Sequence, residues 1–178
     1  MRVQEPDPQV IRAAAQHDHV AFAEIVRAYQ MHVWRFLRHL LGDDAVAEDL
    51  TQETFIRIYR KLHTFEFRSK FSTWILNIAR NAGTDELRAR QRRARLVSNL
   101  SVPAPQRDAT LRVEISDAIE SLSPKLREVL LLVELFGFTY REAAEALGIP
   151  EGTAKRRVYD ARKRLAVELA EGGEAHAL

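Results

Sequence analysis

At 178 residues with 46% hydrophobic content, the chain can bury one core or two small ones. A formal net charge of +2 accompanies a complete lack of cysteine, which excludes disulfides, thiol redox sensing and cysteine-ligated zinc. No apolar run approaches the ~20 residues of a membrane span, and MRVQEPDPQV lacks the order of a secretory signal, so the expectation is a cytoplasmic protein with no membrane insertion.

Residues 1 to about 8 are polar and proline-containing and read as a loose lead-in. From His19, the positions Phe22, Ile25, Val26, Tyr29, Val33, Phe36, Leu37 and Leu40 recur at helical spacing, with Asp18 as N-cap and Gly42 as stop. His17 and His19 flank Asp18, which without further ligands reads as a helix start and not a metal site. A second long helix is predicted from about Ala45 to Leu62, burying Val46, Leu50, Phe55, Ile58, Tyr59 and Leu62. On its other face Asp49, Gln52 and Glu53 fall at i, i+3 and i+4 and form one acidic and amide patch. That patch fits either a simple Glu53 to Arg57 bridge or a docking site for a basic partner, and spacing alone leaves both open.

The next segment, HTFEFRSKFSTW, interleaves Phe65, Phe67, Phe71 and Trp74 with Arg68 and Lys70. Aromatics beside cations suit single-stranded nucleic acid, because bases stack and phosphates pair. Phe71, Trp74, Ile75, Ile78, Ala79 and Ala82 share one helical stripe, which assigns Trp74 to the core and leaves Phe65 to Lys70 as the exposed loop. Across this third helix Asn77, Asn81, Asp85 and Arg88 line up, and amide side chains can bond a base edge in pairs. Gly83 within it costs about 1 kcal/mol relative to Ala and weakens the case for its continuity, though the helix is read on through it. The helix ends in ELRARQRRAR, where Arg88, Arg90, Arg92, Arg93 and Arg95 should repel one another unless phosphates neutralise them.

VSNLSVPAPQRDAT, with Pro103 and Pro105, reads as a linker. Beyond it, Leu111, Ile115, Ile119 and Leu122 mark a helix. Ser123 and Pro124 are an N-cap and a first helical position, opening a helix through Leu135 that buries Leu126, Val129, Leu130 and Val133. Thr139 and Glu142 then form a capping box for a short helix with Ala143, Ala144 and Leu147 inward, ended by Gly148 and Pro150. A following helix from Glu151 has Ala154, Val158, Ala161 and Leu165 on its buried face. Its outer face carries Gly152, Lys155, Arg156, Tyr159, Asp160 and Lys163. Two helices joined by a short glycine-containing turn, the second basic outside, make a helix-turn-helix able to enter a DNA major groove. Gly152, Thr153 and Ala154 are small enough for backbone N–H groups to approach phosphate. After Glu168 the tail is expected to fray.

Three stretches in order, DLTQETFIRIYRKL, FSTWILNIARN and SLSPKLREVLLLVELFGFTYREAAEALGIPEGTAKRRVYDARKRL, resemble bacterial sigma factors of the extracytoplasmic-function group, part of the sigma-70 family, over roughly His19 to Leu165. The resemblance implies an all-α chain of two small helical domains joined by a flexible linker. A region 2 domain would span residues 10–95, the linker 96–110 and a region 4 helix-turn-helix domain 111–170. It also implies that Asp49, Gln52 and Glu53 dock on the β′ coiled coil of core RNA polymerase, with the β flap as a second contact. Residues 63 to 70, including Phe65, Phe67, Arg68 and Lys70, would then capture a flipped base of the minus-10 element, with Asn77, Asn81 and Arg88 reading that strand. Gly152, Thr153, Lys155, Arg156, Tyr159 and Arg162 would face minus-35 duplex DNA. An anti-sigma factor is an implied partner; no cofactor, metal or catalytic residue is implied.

Three positions depart from the pattern. Thr51 stands where a hydrophobic residue is usual, Asp160 where a basic or small polar one is common, and Gly83 is unusual within the minus-10 helix. The first rival reading is a stand-alone helix-turn-helix regulator, which leaves the first hundred or so residues without a task. The second is a hydrolase using Glu48, Asp49 and a histidine, but nothing places His17, His32, His39 or His63 beside a nucleophile.

Overall fold

The computed structural model describes residues 4–96 and 111–175, with side chains described for 4–95 and 115–170. Among the described residues there are α-helices and one 3-10 turn but no strand. The prolines of the predicted linker, Pro103 and Pro105, lie outside them.

The first bundle comprises α1 (Pro8–Ala15), α2 (His19–Leu41), α3 (Asp44–Lys61) and α4 (Phe71–Leu96), with the 3-10 turn Leu62–Thr64 after α3. Helix α2 is its axis. Ile25, Tyr29, Val33, Phe36, Leu37 and Leu40 are each at most 1% exposed, and full burial of such a side chain contributes about 1.5–3 kcal/mol relative to exposure. Asp18 starts the helix by accepting from the N–H groups of Val20 (2.8 Å) and Ala21 (3.0 Å). Gly42 ends it in the left-handed conformation at φ 68°. His17 and His19 lie against the ring of Tyr59.

Two expectations for this half are corrected. The described part of the lead-in is anchored, and an unexpected helix begins where it ends: the Tyr29 hydroxyl donates to the Gln4 carbonyl at 3.1 Å, and Asp7 caps α1. Its apolar stripe, Ile11 and Ala14, is too short to register as periodicity. Gly83 does not interrupt α4. A Cβ there would come within 2.6 Å of Leu40 Cδ2 and 3.1 Å of Leu37 Cδ2, so the glycine lets α4 lie close on α2. Thr51, in place of an apolar residue, is 9% exposed and returns its hydroxyl to the Ala47 carbonyl at 2.6 Å.

The second bundle comprises α5 (Leu111–Ser121), α6 (Pro124–Glu134), α7 (Tyr140–Leu147) and α8 (Glu151–Ala175). Its core joins Ala118, Leu122, Val129, Leu132, Ala143, Ala154, Val158 and Ala161. Ile115, expected on the buried stripe, is 46% exposed, because α5 packs through Ala118, with Leu122 buried just past its end. Ser123 precedes α6 without a side-chain capping bond, leaving the first-position Pro124 to set the start. In α6 Leu131 and Leu132 are buried while Val133 is only half-buried. Helix α8 continues to Ala175, past the point where fraying was expected.

The two bundles meet along α2. Phe36 packs edge-on against Phe136 at 5.7 Å between ring centres. Around that contact, Arg38 pairs with Glu120 at 2.6 Å and Arg80 with Glu128 at 2.5 Å. Arg127 donates to the Leu40 carbonyl at 2.7 Å. His39 is half-buried at this seam, its Nδ1 enclosed and without a hydrogen-bond partner. Burial and then the neighbouring Arg38, with Arg35 and Arg127, hold its pKa below the ordinary value against the opposing pull of Glu120.

Candidate nucleic-acid interface and docking surface

Helix α3 turns Asp49, Gln52 and Glu53 to solvent on one face. Glu53 accepts from Arg57 at 2.5 Å, so the local bridge read from the sequence does form. Beside the patch runs a groove lined by Gln30, Met31 and Trp34 of α2 and by Glu48, Thr51 and Gln52 of α3. Met31 is 52% exposed and Trp34 is half-buried. These apolar members were missed because they stand beyond the buried stripes of helices whose periodicity explains only the inward residues. Exposed methionine on an outer face was the available signal.

The loop from Phe65 to Lys70 leads into α4. Phe65 is half-buried, and its ring lies 4.8 Å from that of Phe67, 5.2 Å from Phe71 and 5.5 Å from Trp74. Trp74 is itself half-buried and stacks on Phe71 at 5.8 Å. Phe67 is 43% exposed and takes a positive φ of 58°, a conformation uncommon for a residue with a side chain. Arg68 pairs with Glu66 at 2.8 Å. Lys70 reaches across to the second bundle and pairs with Glu142 at 2.6 Å. Burial raises the Glu142 pKa, but Lys70 and the Thr139 donors outweigh it and hold the carboxyl below its usual range.

Along α4, Asn77 is half-buried while Asn81 and Arg88 are exposed. The run of arginines that follows is less bare than expected. Glu86 accepts from Arg90 at 2.9 Å and Arg93 at 2.7 Å, Asp85 faces Arg88 at 3.5 Å, and Arg90 also donates to the Leu41 carbonyl at 2.9 Å. Acidic residues one or two turns away therefore neutralise part of a cluster that seemed to require phosphate.

In the second bundle the capping box is present in both directions. Thr139 Oγ1 accepts from the Glu142 N–H at 3.2 Å, and Glu142 accepts from the Thr139 N–H at 2.8 Å. Gly148 takes φ 62°, turning the chain between α7 and α8. Ala154, Val158 and Ala161 are buried. Gly152, Lys155, Arg156, Tyr159 and Arg162 are exposed, with Tyr159 at 67%, and Thr153 is half-buried. No atom lies within 4 Å of a Cβ built on Gly152, so the start of α8 is open to a ligand's backbone. Lys155 pairs with Glu151 at 2.8 Å, Arg162 with Glu134 at 2.5 Å, and Asp160 faces Arg156 at 3.9 Å. Sequence reasoning passed over Lys125, Arg157 and Arg164, which line a basic hollow between α6 and α8. The seven-residue spacing of Arg157 and Arg164, two helical turns, was the signal for it.

Sequence and fold both match known proteins. The family model described as Sigma-70 region 2 matches residues 25–93, and that described as Sigma-70, region 4 matches residues 112–165. The ECF RNA polymerase sigma factor SigC of Mycobacterium tuberculosis is 36% identical over 159 residues, covering 86% of this chain and 85% of its own. The ECF RNA polymerase sigma factor SigW of Bacillus subtilis is 30% identical over 179 residues, covering 89% and 94%. Among solved structures, the sigma factor RpoE of Bartonella quintana, in complex with the anti-sigma factor NepR, matches with a TM-score of 0.74 at 28% identity, covering 84% of this chain and 96% of that one. CnrH, in complex with the cytosolic domain of CnrY, shares the fold with a TM-score of 0.71 at 23% identity, covering 92% and 96%. By its two matching regions, their order and these relatives, the chain belongs to the extracytoplasmic-function group of the sigma-70 family of RNA polymerase sigma factors.

Proposed function

We propose that this sigma factor works as a dissociable subunit with its tasks divided between the two bundles, and that it performs no covalent chemistry of its own. As a sigma factor it binds core RNA polymerase and directs initiation at promoters. Asp49, Gln52 and Glu53, beside the groove carrying Met31 and Trp34, form the docking surface for the β′ coiled coil; the β flap meets the second bundle. Phe65, Phe67, Arg68 and Lys70 hold an unpaired base of the minus-10 element, and Asn77, Asn81 and Arg88 follow that strand. Trapping an unstacked base offsets an opening cost of a few kcal/mol, so binding drives melting. Gly152, Thr153, Lys155, Arg156, Tyr159 and Arg162 present α8 to the minus-35 major groove. Tethering raises the effective concentration of one site once the other is engaged.

The observation that carries this reading is the coexistence of two different surfaces on one chain. One is an aromatic and basic loop at the start of α4; the other is a helix-turn-helix with its second helix open at Gly152. A stand-alone duplex regulator has no use for the first. The solved relative RpoE is bound by an anti-sigma factor, and we assign this chain a partner of the same kind, acting in the bacterial cytoplasm. Run-off transcription with purified core polymerase is the test, and a promoter-specific product is the expected result. Reversal of the patch charge in D49K/E53K should abolish retention on core polymerase with the thermal melt unchanged; retained association refutes the docking assignment.

A further inference from the structure

The strand-capturing loop is held by chain lying outside the region 2 match, which begins at residue 25. Lys70 stands at the N-cap of α4, its carbonyl accepting from the Trp74 N–H at 3.2 Å, yet a lysine side chain has no acceptor with which to satisfy the open N–H groups of the first turn. Glu5 supplies one from 66 residues away. Its carboxylate accepts from the Phe71 N–H at 2.8 Å and the Ser72 N–H at 3.2 Å, where the helix dipole also favours a negative charge. Glu5 is itself held in place by its neighbour, since the buried Tyr29 hydroxyl donates to the Gln4 carbonyl at 3.1 Å. One helix later, the guanidinium of Arg12 lies over the Phe67 ring, 5.1 Å from its centre, on the residue with the unusual positive φ. The middle of the loop, at Phe67, and the start of α4 that follows it are therefore both fastened to the same N-terminal arm.

We propose that the arm from Gln4 to Ala15 is a positioning element for base capture, with Glu5 and Arg12 as its positioning residues. Glu5 fixes where α4 begins and hence where Lys70 and the first turn stand. Arg12 holds the Phe67 ring at its tilt of 52° to Phe65 and sets the width of the space beside it. Neither touches DNA; both determine the shape that selects the captured base. The inference rests on the assignment of Phe65 to Lys70 as the capture loop.

The test uses holoenzyme assembled from the full chain and core polymerase. Its probes are fluorescent single-stranded minus-10 oligonucleotides that differ only at the captured base, with minus-35 duplex as control. Replacing Arg12 by Gln should lower affinity for the preferred base about two- to fivefold and narrow its margin over the other bases, while R12K, which keeps a cation on the ring, should restore both. E5A should cost at least as much, and E5Q, which keeps a neutral acceptor, less. Duplex binding should stay unchanged in every variant. Should E5A fail to fold, the exposed Arg12 series decides alone. Wild-type affinity and base preference in R12Q beside a clear loss in K70A overturns the positioning role and leaves the capture loop standing. No loss in either K70A or F67L denies the loop itself, and the arm's role falls with it.

Discussion

The helix-turn-helix and the loop before α4 are built in opposite ways. In the former every stop and start is encoded within a few residues: Thr139 and Glu142 cap α7, and Gly148 ends it. The loop depends on distant chain, with Glu5 capping α4 from 66 residues away and Arg12 lying on Phe67. Local encoding fixes where these helices start and stop, and α6 supplies the surface on which they pack. Long-range assembly ties the loop to the integrity of its whole bundle.

Truncating the aromatic at the root of the loop should break this comparison most sharply. Phe71 is 2% exposed among Tyr29, Phe65 and Trp74, and F71A should cost about 3–5 kcal/mol in denaturant unfolding. Strand capture should disappear with it, while duplex binding by α8 persists; equal loss of both would show that the two bundles do not behave separately. A smaller effect is expected on the duplex side, where K155A and R156A should each weaken promoter binding. Where the contact is to phosphate, the salt slope should fall by about one per residue, and an unchanged affinity and slope in both variants removes α8 as the recognition helix. Removing the local cap by T139A should lower stability by about 1 kcal/mol, read from thermal melts, with capture of the minus-10 strand retained.

The smallest effect concerns the seam between the bundles. His39 is held below its ordinary value of 6.5 in the folded chain, by burial first and Arg38 next. As the pH falls past that ordinary value the unfolded chain takes up the proton first, so this contribution to stability declines until the folded pKa is passed. Melting temperature followed between about pH 7 and pH 5 should fall more steeply in the wild type than in H39Q. Parallel curves would show that the group is not linked to folding.

This contrast also explains what the sequence could reveal. The helix-turn-helix was legible almost completely, because the capping box, the left-handed glycine and the inward Ala154, Val158 and Ala161 are all neighbours in sequence. The long α2 was legible for the same reason, with its stripe running over several turns. Helix α1 escaped notice because Ile11 and Ala14 are its only buried positions, and Glu5 reads as one more acid in a polar lead-in. The neutralised arginines after Arg88 could have been anticipated from Asp85 and Glu86, which stand three to seven residues before their partners. Ile115 could not, since the choice between it and Ala118 as the packed side of α5 belongs to α8 and α2, not to α5 itself.

Gly83 carries a mechanical consequence. With a single hydrogen in place of a methyl group, α4 rests directly on Leu37 and Leu40 of the same rod whose outer side, through Met31 and Trp34, borders the groove proposed for docking. The gap between the proposed docking surface and the proposed strand-binding surface is thus set in part by one absent carbon atom. A bulkier residue would act as a shim against Leu40, shifting Asn81 and Arg88 on the same helix relative to α2.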